Sequence, residues 1–238
     1  MRATCNIALK EFRGYFIAPM AYVVILFFLG VSGLIYVLTL TMPSASTNNF
    51  RGVMQSMVFI WLMMAPVLTM SLLALERGRG TLELLMTRPV GDWSIVLGKY
   101  LAAVAMFACL LVVTLIFPLL MSVGGEVEWG TILSGYVGIL CAGVAFLGIG
   151  LFASSLFADQ IAAALTAFFI LLLFWIIGFV AQSVPAGLGD VLTKLSFIES
   201  YSDFAKGVID LRNVVYFLTV AGFFIFLAER VVESRRSV

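Results

Sequence analysis

Six long apolar runs separated by polar breaks set the pattern of this chain, at roughly 18–41, 53–75, 100–123, 130–156, 160–182 and 213–229. About 20 consecutive apolar residues suffice for a helix to cross the hydrocarbon core of a bilayer. A helix also satisfies its own backbone hydrogen bonds there, which an irregular segment does not. The pattern predicts an all-α polytopic membrane protein with six transmembrane helices, in a single domain over 1–238. The last run is the shortest and is expected to extend a little at its start. Pro66 and Pro118 are expected to kink the second and third spans.

The polar breaks differ in what they predict. Residues 3–17 (ATCNIALKEFRGYFI) are too polar to span. Ile7, Leu9, Phe12, Phe16 and Ile17 fall along one side, with Asn6, Lys10, Glu11 and Arg13 elsewhere. This reads either as an interfacial helix with Tyr15 and Phe16 at headgroup level or as a simple cytoplasmic entry to the first span. The break from Glu76 to Lys99 is longer than a connection needs. Gly78 and Gly80 end the preceding helix, and Thr81 caps a short helix of Leu82, Glu83, Leu84, Leu85 and Met86. Arg88-Pro89 stops it, because a residue before proline avoids the helical region. Asp92 then caps the return helix through Trp93 and Ile95. The break before the sixth span, 183–212, opens with Ser183-Val184-Pro185-Ala186-Gly187. Tyr201, Phe204, Ala205, Val208 and Ile209 follow at helical spacing, with Asp203, Lys206 and Asp210 off that face. Amphipathic extracellular helices dipping into, or lying on, the outer leaflet are expected here, either capping a pathway between subunits or shielding helix ends.

Charge distribution orients the chain. With the N-terminus inside, ten of the 14 Lys and Arg residues fall on the cytoplasmic side. Arg51, Lys194, Lys206 and Arg212 fall outside, with Glu126 and Glu128 in an outer loop. The positive-inside bias therefore puts both termini in the cytoplasm.

Composition narrows the class further. The chain of 238 residues is 63% hydrophobic and 11% charged, with no histidine. Its mean hydropathy is +1.14. Absence of histidine removes histidine-dependent metal sites, Ser-His hydrolysis and histidine proton relays. Glu76, Asp159 and Glu229 sit at span ends rather than centres, which argues against an ion-coupled transporter, a voltage sensor or a pump. Cys5, Cys109 and Cys141 lack metal or redox spacing and read as small packing residues. Met54, Met57, Met63, Met64 and Met70 read as core or lipid-facing rather than copper ligands. Ser134, Gly138 and Ala142, then Gly150 and Ser154, recur at four-residue spacing in the fourth run and let helices approach closely. The sequence from Gly91 to Lys99 is not a phosphate loop. Six residues separate Gly91 from Gly98, and Tyr100 stands where a magnesium-binding hydroxyl belongs. No catalytic residue, bound cofactor, metal ligand or nucleic-acid partner is nominated.

Three stretches carry a family resemblance over essentially the whole chain. The first is Lys10 to Phe16 with Pro19, Ala21 and Tyr22. The second is Glu76-Arg77, Gly80 to Leu85, Pro89-Val90, Asp92-Trp93 and Gly98-Lys99. The third is Phe204 with Gly207 to Arg212 and Tyr216-Phe217. The chain resembles the membrane subunit (permease) of ABC-2 type ABC transporters, in the gliding-motility and copper-enzyme-maturation branch. It departs from the pattern at Leu75, where many members carry a second acid.

The resemblance implies a coupling helix between spans two and three that docks on a separate ATPase, which would bind ATP and magnesium. Its candidate residues are Glu76, Arg77, Arg79, Thr81, Leu82, Glu83, Leu84, Leu85, Met86 and Arg88. It also implies two permease subunits, as a homodimer or heterodimer, enclosing a pathway in a bacterial inner membrane. A periplasmic accessory protein is a further possible partner. The competing expectation is a membrane anchor that passes ATP-driven shape change to an outer partner without moving a solute. An intramembrane enzyme is the weakest alternative, for want of histidine and paired acids.

Overall fold

The computed structural model describes residues 2–17, 19–41, 47–80, 91–124, 127–181, 183 and 185–236. Among these, every regular element is a helix: α1 (Arg2–Ile17), α2 (Pro19–Leu40), α3 (Thr47–Thr69), α4 (Ala74–Gly78), α5 (Asp92–Thr114), α6 (Ile116–Gly124), α7 (Trp129–Leu156), α8 (Gln160–Ala181), α9 (Ala186–Leu195), α10 (Phe197–Ala205) and α11 (Leu211–Arg236). Among the described residues, six stretches are long and apolar enough to cross a membrane: Ala21–Leu40, Phe50–Gly78, Asp92–Val123, Trp129–Leu156, Gln160–Ala181 and Leu211–Ser234. The second and third are each built from two helices, and the sixth runs on well past residue 229.

The axis of the bundle is α7, which packs against α3, α5, α8, α10 and α11. Its small residues explain how so many helices fit around one. A methyl group at Gly143 would lie 1.9 Å from Cε1 of Phe107 on α5. At Gly138 it would lie 2.6 Å from Cβ of Phe204 on α10, and at Gly148 3.2 Å from the backbone of Ala221 on α11. Large side chains and backbone thus occupy the space the missing methyls leave, and dispersion contacts replace them. Beside Gly143, Phe107 stacks on Trp61 with ring centroids 4.0 Å apart, and Trp61 meets the edge of Phe28 on α2.

Both prolines leave their mark on the spans. Pro118 has no N–H for the Thr114 carbonyl, and the third span breaks at Leu115 between α5 and α6. The Tyr136 hydroxyl of α7 donates to that freed carbonyl at 2.9 Å. Pro66 lies in the last turn of α3, just ahead of the turn at residues 70–73.

Before the last span, α10 departs from the expected surface helix. Ser196 caps it, accepting from the Glu199 N–H. Phe197 is fully buried among Phe174, Phe146 and Phe217, and Tyr201 and Phe204 are buried beside it. The helix ends at Ala205 and the chain turns at Gly207, whose φ is +90°. Val208 and Ile209, expected on the same helical face, lie beyond that turn and are exposed. The apolar face packs inward on α7 and α8, not outward on lipid. The cysteine expectation is corrected for two of the three. Cys5 and Cys109 are exposed, while Cys141 is half-buried and packs against the core. Met54 and Met57 are buried, while Met63 and Met64 are half-buried.

Candidate functional site at the Glu76 to Lys99 junction

The site begins where the second span bends. Thr69 Oγ1 donates to the Ala65 carbonyl, and the chain turns through residues 70–73 before α4. Such a bend strands backbone groups, and a helix end buried without partners is costly. Ser154 on α7 supplies the partners. Its Oγ accepts from the N–H groups of Leu73 and Ala74, each at 3.0 Å, and donates to the Met70 carbonyl at 3.1 Å. One helical turn earlier, Gly150 leaves room for Thr69, whose Oγ1 would be 2.1 Å from an added methyl. Replacing Ser154 with Ala strands two amide donors and one carbonyl, and should cost about 2 kcal/mol. The midpoint of thermal unfolding in detergent measures it, and an unchanged midpoint would refute the assignment.

From that bend α4 runs onto the turn between α7 and α8. The Arg77 guanidinium donates to the Leu156 carbonyl. A methyl at Gly78 would lie 2.7 Å from the Ala158 carbonyl, so only glycine permits this approach. Asp159 closes the same turn by accepting from the Ile161 N–H at 3.0 Å. Gly80, with φ of +68°, then takes the left-handed conformation that redirects the chain.

The return helix starts at Asp92, with Gly91 in the capping position and no side-chain cap bond. This corrects the expectation that Asp92 itself is the cap. It holds the first helical position instead, where a carboxylate faces the positive end of the helix dipole.

Two turns into α5 sits the residue that sequence reading missed as a site. Lys99 is 1% exposed. Its Nζ lies 2.8 Å from Glu76 Oε1 and 3.4 Å from Glu11 Oε1. Both carboxylates keep about a quarter of their side-chain surface in solvent, at 25% and 26%. The ammonium thus joins three segments: α1, the end of the second span and the start of the third. Gly98 makes the arrangement possible. A methyl there would lie 2.8 Å from Ile7 Cγ2 and 3.1 Å from the Thr4 carbonyl, so α1 rests on the bare backbone of α5. Burial, and then the negative Glu11, push the Tyr15 hydroxyl above the usual phenol range, so it stays neutral. Contact with α5 also splits the expected apolar face of α1. Ile7 and Phe12 turn inward, while Leu9, Phe16 and Ile17 stay exposed.

Of the candidate docking residues, Glu76 and Arg77 belong to this junction and Arg79 is exposed at its rim. Thr81, Leu82, Glu83, Leu84, Leu85, Met86 and Arg88 lie outside the described residues. Of the small residues on α7, Gly138 meets Phe204 and Gly150 meets Thr69, while Ser134 and Ala142 are buried. A signal for Lys99 does exist in the chain: a lone lysine enters an apolar run, with acids at Glu11 and Glu76 at the matching ends of two other segments.

A second feature is a mostly apolar cleft of about 1070 Å³ between α2, α3 and α8. Phe27, Phe59, Met63, Phe168 and Trp175 wall it, and Gln55 and Ser56 add polar groups near one end. Among the described residues no group of His, Cys, Asp or Glu is placed to hold a metal ion.

Among the described residues, six membrane-length helices, one of them the tightly packed axis, define a multi-pass helical membrane protein. The sequence profile of the ABC-2 family transporter proteins matches residues 5–233, and the chain belongs to that family. It is therefore of the permease class, the membrane part of an ABC transporter that works with an ABC ATPase. No curated protein matches the chain.

Proposed function

We propose that this chain is a bacterial inner-membrane permease subunit whose 76–99 segment is gripped by a separate ATPase. The observation that carries the reading is the Glu76–Lys99 pair. It ties together the two ends of the segment that contains the candidate coupling helix, and Glu11 adds α1 to the same knot. A push on that segment then reaches the second and third spans together, rather than being absorbed by slack chain. The Lys and Arg distribution supports placing this end, and both termini, in the cytoplasm. The cleft between α2, α3 and α8 supports a pathway completed by a second permease subunit, identical or not. Motifs at Glu76 to Lys99 support the gliding-motility and copper-enzyme-maturation branch. Close helix packing is the role we assign to Ser134, Gly138, Ala142, Gly150 and Ser154.

Replacing Leu84 and Leu85 with Asp tests the docking. Co-purified ATPase should fall about tenfold or more, because two apolar side chains assigned to the docking surface become charged, while membrane insertion stays unchanged. An ATPase that remains bound and active would rule the assignment out. Sealed vesicles that hydrolyse ATP without solute flux would favour the anchor instead.

A further inference from the structure

At the end of the bundle opposite the Lys99 junction, α9, α10 and α11 enclose a polar cleft of about 620 Å³. Five charged residues line it: Lys194, Glu199, Asp203, Lys206 and Arg212. Two of them satisfy each other. Asp203 accepts from Asn213 Nδ2 at 3.0 Å and pairs with Lys206 at 3.5 Å. Lys194, Arg212 and Glu199 have no ion-pair partner among the described residues. They come from three different elements, the last turn of α9 and the first turns of α11 and α10, brought to one cleft by the fold.

Two uncompensated cations and one uncompensated carboxylate suit a ligand that carries both signs. An inorganic anion would satisfy the cations and be repelled by Glu199. A phosphate bearing a primary ammonium arm satisfies all three, through charge-assisted hydrogen bonds. The surroundings add a second requirement. Arg212 and Tyr216, which line the cleft, sit on α11 beside Leu211, Val215 and Leu218. These three recur at i, i+4 and i+7 and are 74%, 53% and 52% exposed, forming an apolar stripe that leads away from the cleft along the sixth span. Polar groups at a span boundary with an apolar stripe beside them match the two halves of a membrane lipid.

We propose that this cleft binds the phosphoethanolamine headgroup of a phospholipid. The phosphate faces Lys194 and Arg212, the ammonium faces Glu199, and an acyl chain lies along Leu211, Val215 and Leu218. The site is independent of ATPase docking, and its failure would leave the transport reading untouched.

The test is lipid retention by the full chain in detergent, read by native mass spectrometry. Four probes are compared: phosphatidylethanolamine, phosphatidylglycerol with the same chains, diacylglycerol, and free phosphoethanolamine. The wild-type chain should retain phosphatidylethanolamine best and diacylglycerol least. Lys194→Gln with Arg212→Gln should lower that retention about tenfold or more, one charged hydrogen bond being worth roughly that factor. Glu199→Gln should bring phosphatidylethanolamine down to the level of phosphatidylglycerol. Equal retention of phosphatidylethanolamine and diacylglycerol by the wild-type chain, a comparison that needs no variant, overturns the proposal. Displacement of the lipid by an equal concentration of free phosphoethanolamine overturns it too, in favour of a soluble ligand.

Discussion

Gly143→Ala is expected to destabilise the protein by about 3 kcal/mol, the upper end of overpacking costs. The added methyl falls 1.9 Å from Phe107 Cε1 and 2.5 Å from its Cζ. Phe107 has nowhere to go. Its other face stacks on Trp61 at 4.0 Å with the planes 16° apart, and both rings are at most 1% exposed. The sign makes the experiment decisive. In a helix whose surroundings did not matter, alanine would be better than glycine by about 1 kcal/mol. Gly222→Ala serves as the control, since an added methyl there meets nothing within 4 Å. It should be neutral or mildly stabilising. Thermal midpoints in detergent separate the two, and a Gly143→Ala protein as stable as the control would refute the packing described for α7.

Lys99→Met should also destabilise the protein, and a compensated variant should undo most of the loss. Two cations among the described ion pairs meet two carboxylates each, but the Arg230 side chain is 56% exposed whereas that of Lys99 is 2% exposed. Removing Lys99 leaves Glu11 and Glu76 facing the same buried position with like charge. Breaking a fully buried pair costs about 3–5 kcal/mol. Here both carboxylates keep water on about a quarter of their surface, so about 2 kcal/mol is expected, the remainder being screened. Adding Glu11→Gln and Glu76→Gln removes the stranded charges, and most of the lost stability should return. Under the proposed function, ATP-driven activity should not return with it, because the junction would no longer bind the 76–99 segment to α1. Stability that stays low in the triple variant would show that Lys99 acts through its packing. Activity restored together with stability would show that the ion pairs do not couple the loop.

Hydropathy made the six spans readable because a segment in lipid must close its own hydrogen bonds over a fixed thickness. Small residues on the fourth run were visible in the sequence, and a packing role is proposed for them because helices in lipid associate through close packing. The identity of each partner was not visible. Nothing in the spacing of Gly143 says that Phe107 from α5 will fill the gap, because the register between two helices depends on every contact they share. Lys99 escaped for another reason. A lysine at the edge of an apolar run looks solvated until α1 is folded over it, and only Gly98 hints that something lies so close. At α10 the period-3.6 pattern in the sequence runs on through Val208 and Ile209, but the chain turns at Gly207, and the inward aromatic residue Phe197 lies outside the pattern altogether. Asp92 was misplaced by one residue, the ordinary uncertainty of a helix start.

The packing of α7 also bears on how the chain is assembled during synthesis. In its most apolar window 72% of α7 is buried, against 22% for α2. A first span so well suited to lipid needs no companion as it enters the membrane. The fourth is different: the side chains that fill Gly143 and Gly150 lie on α5 and α3 and are made before it, but Phe204 and Ala221, which cover Gly138 and Gly148, are made after. A nascent chain that has released only four spans therefore holds a half-clothed α7, its bare backbone turned to lipid or to the insertion machinery until the final helix arrives.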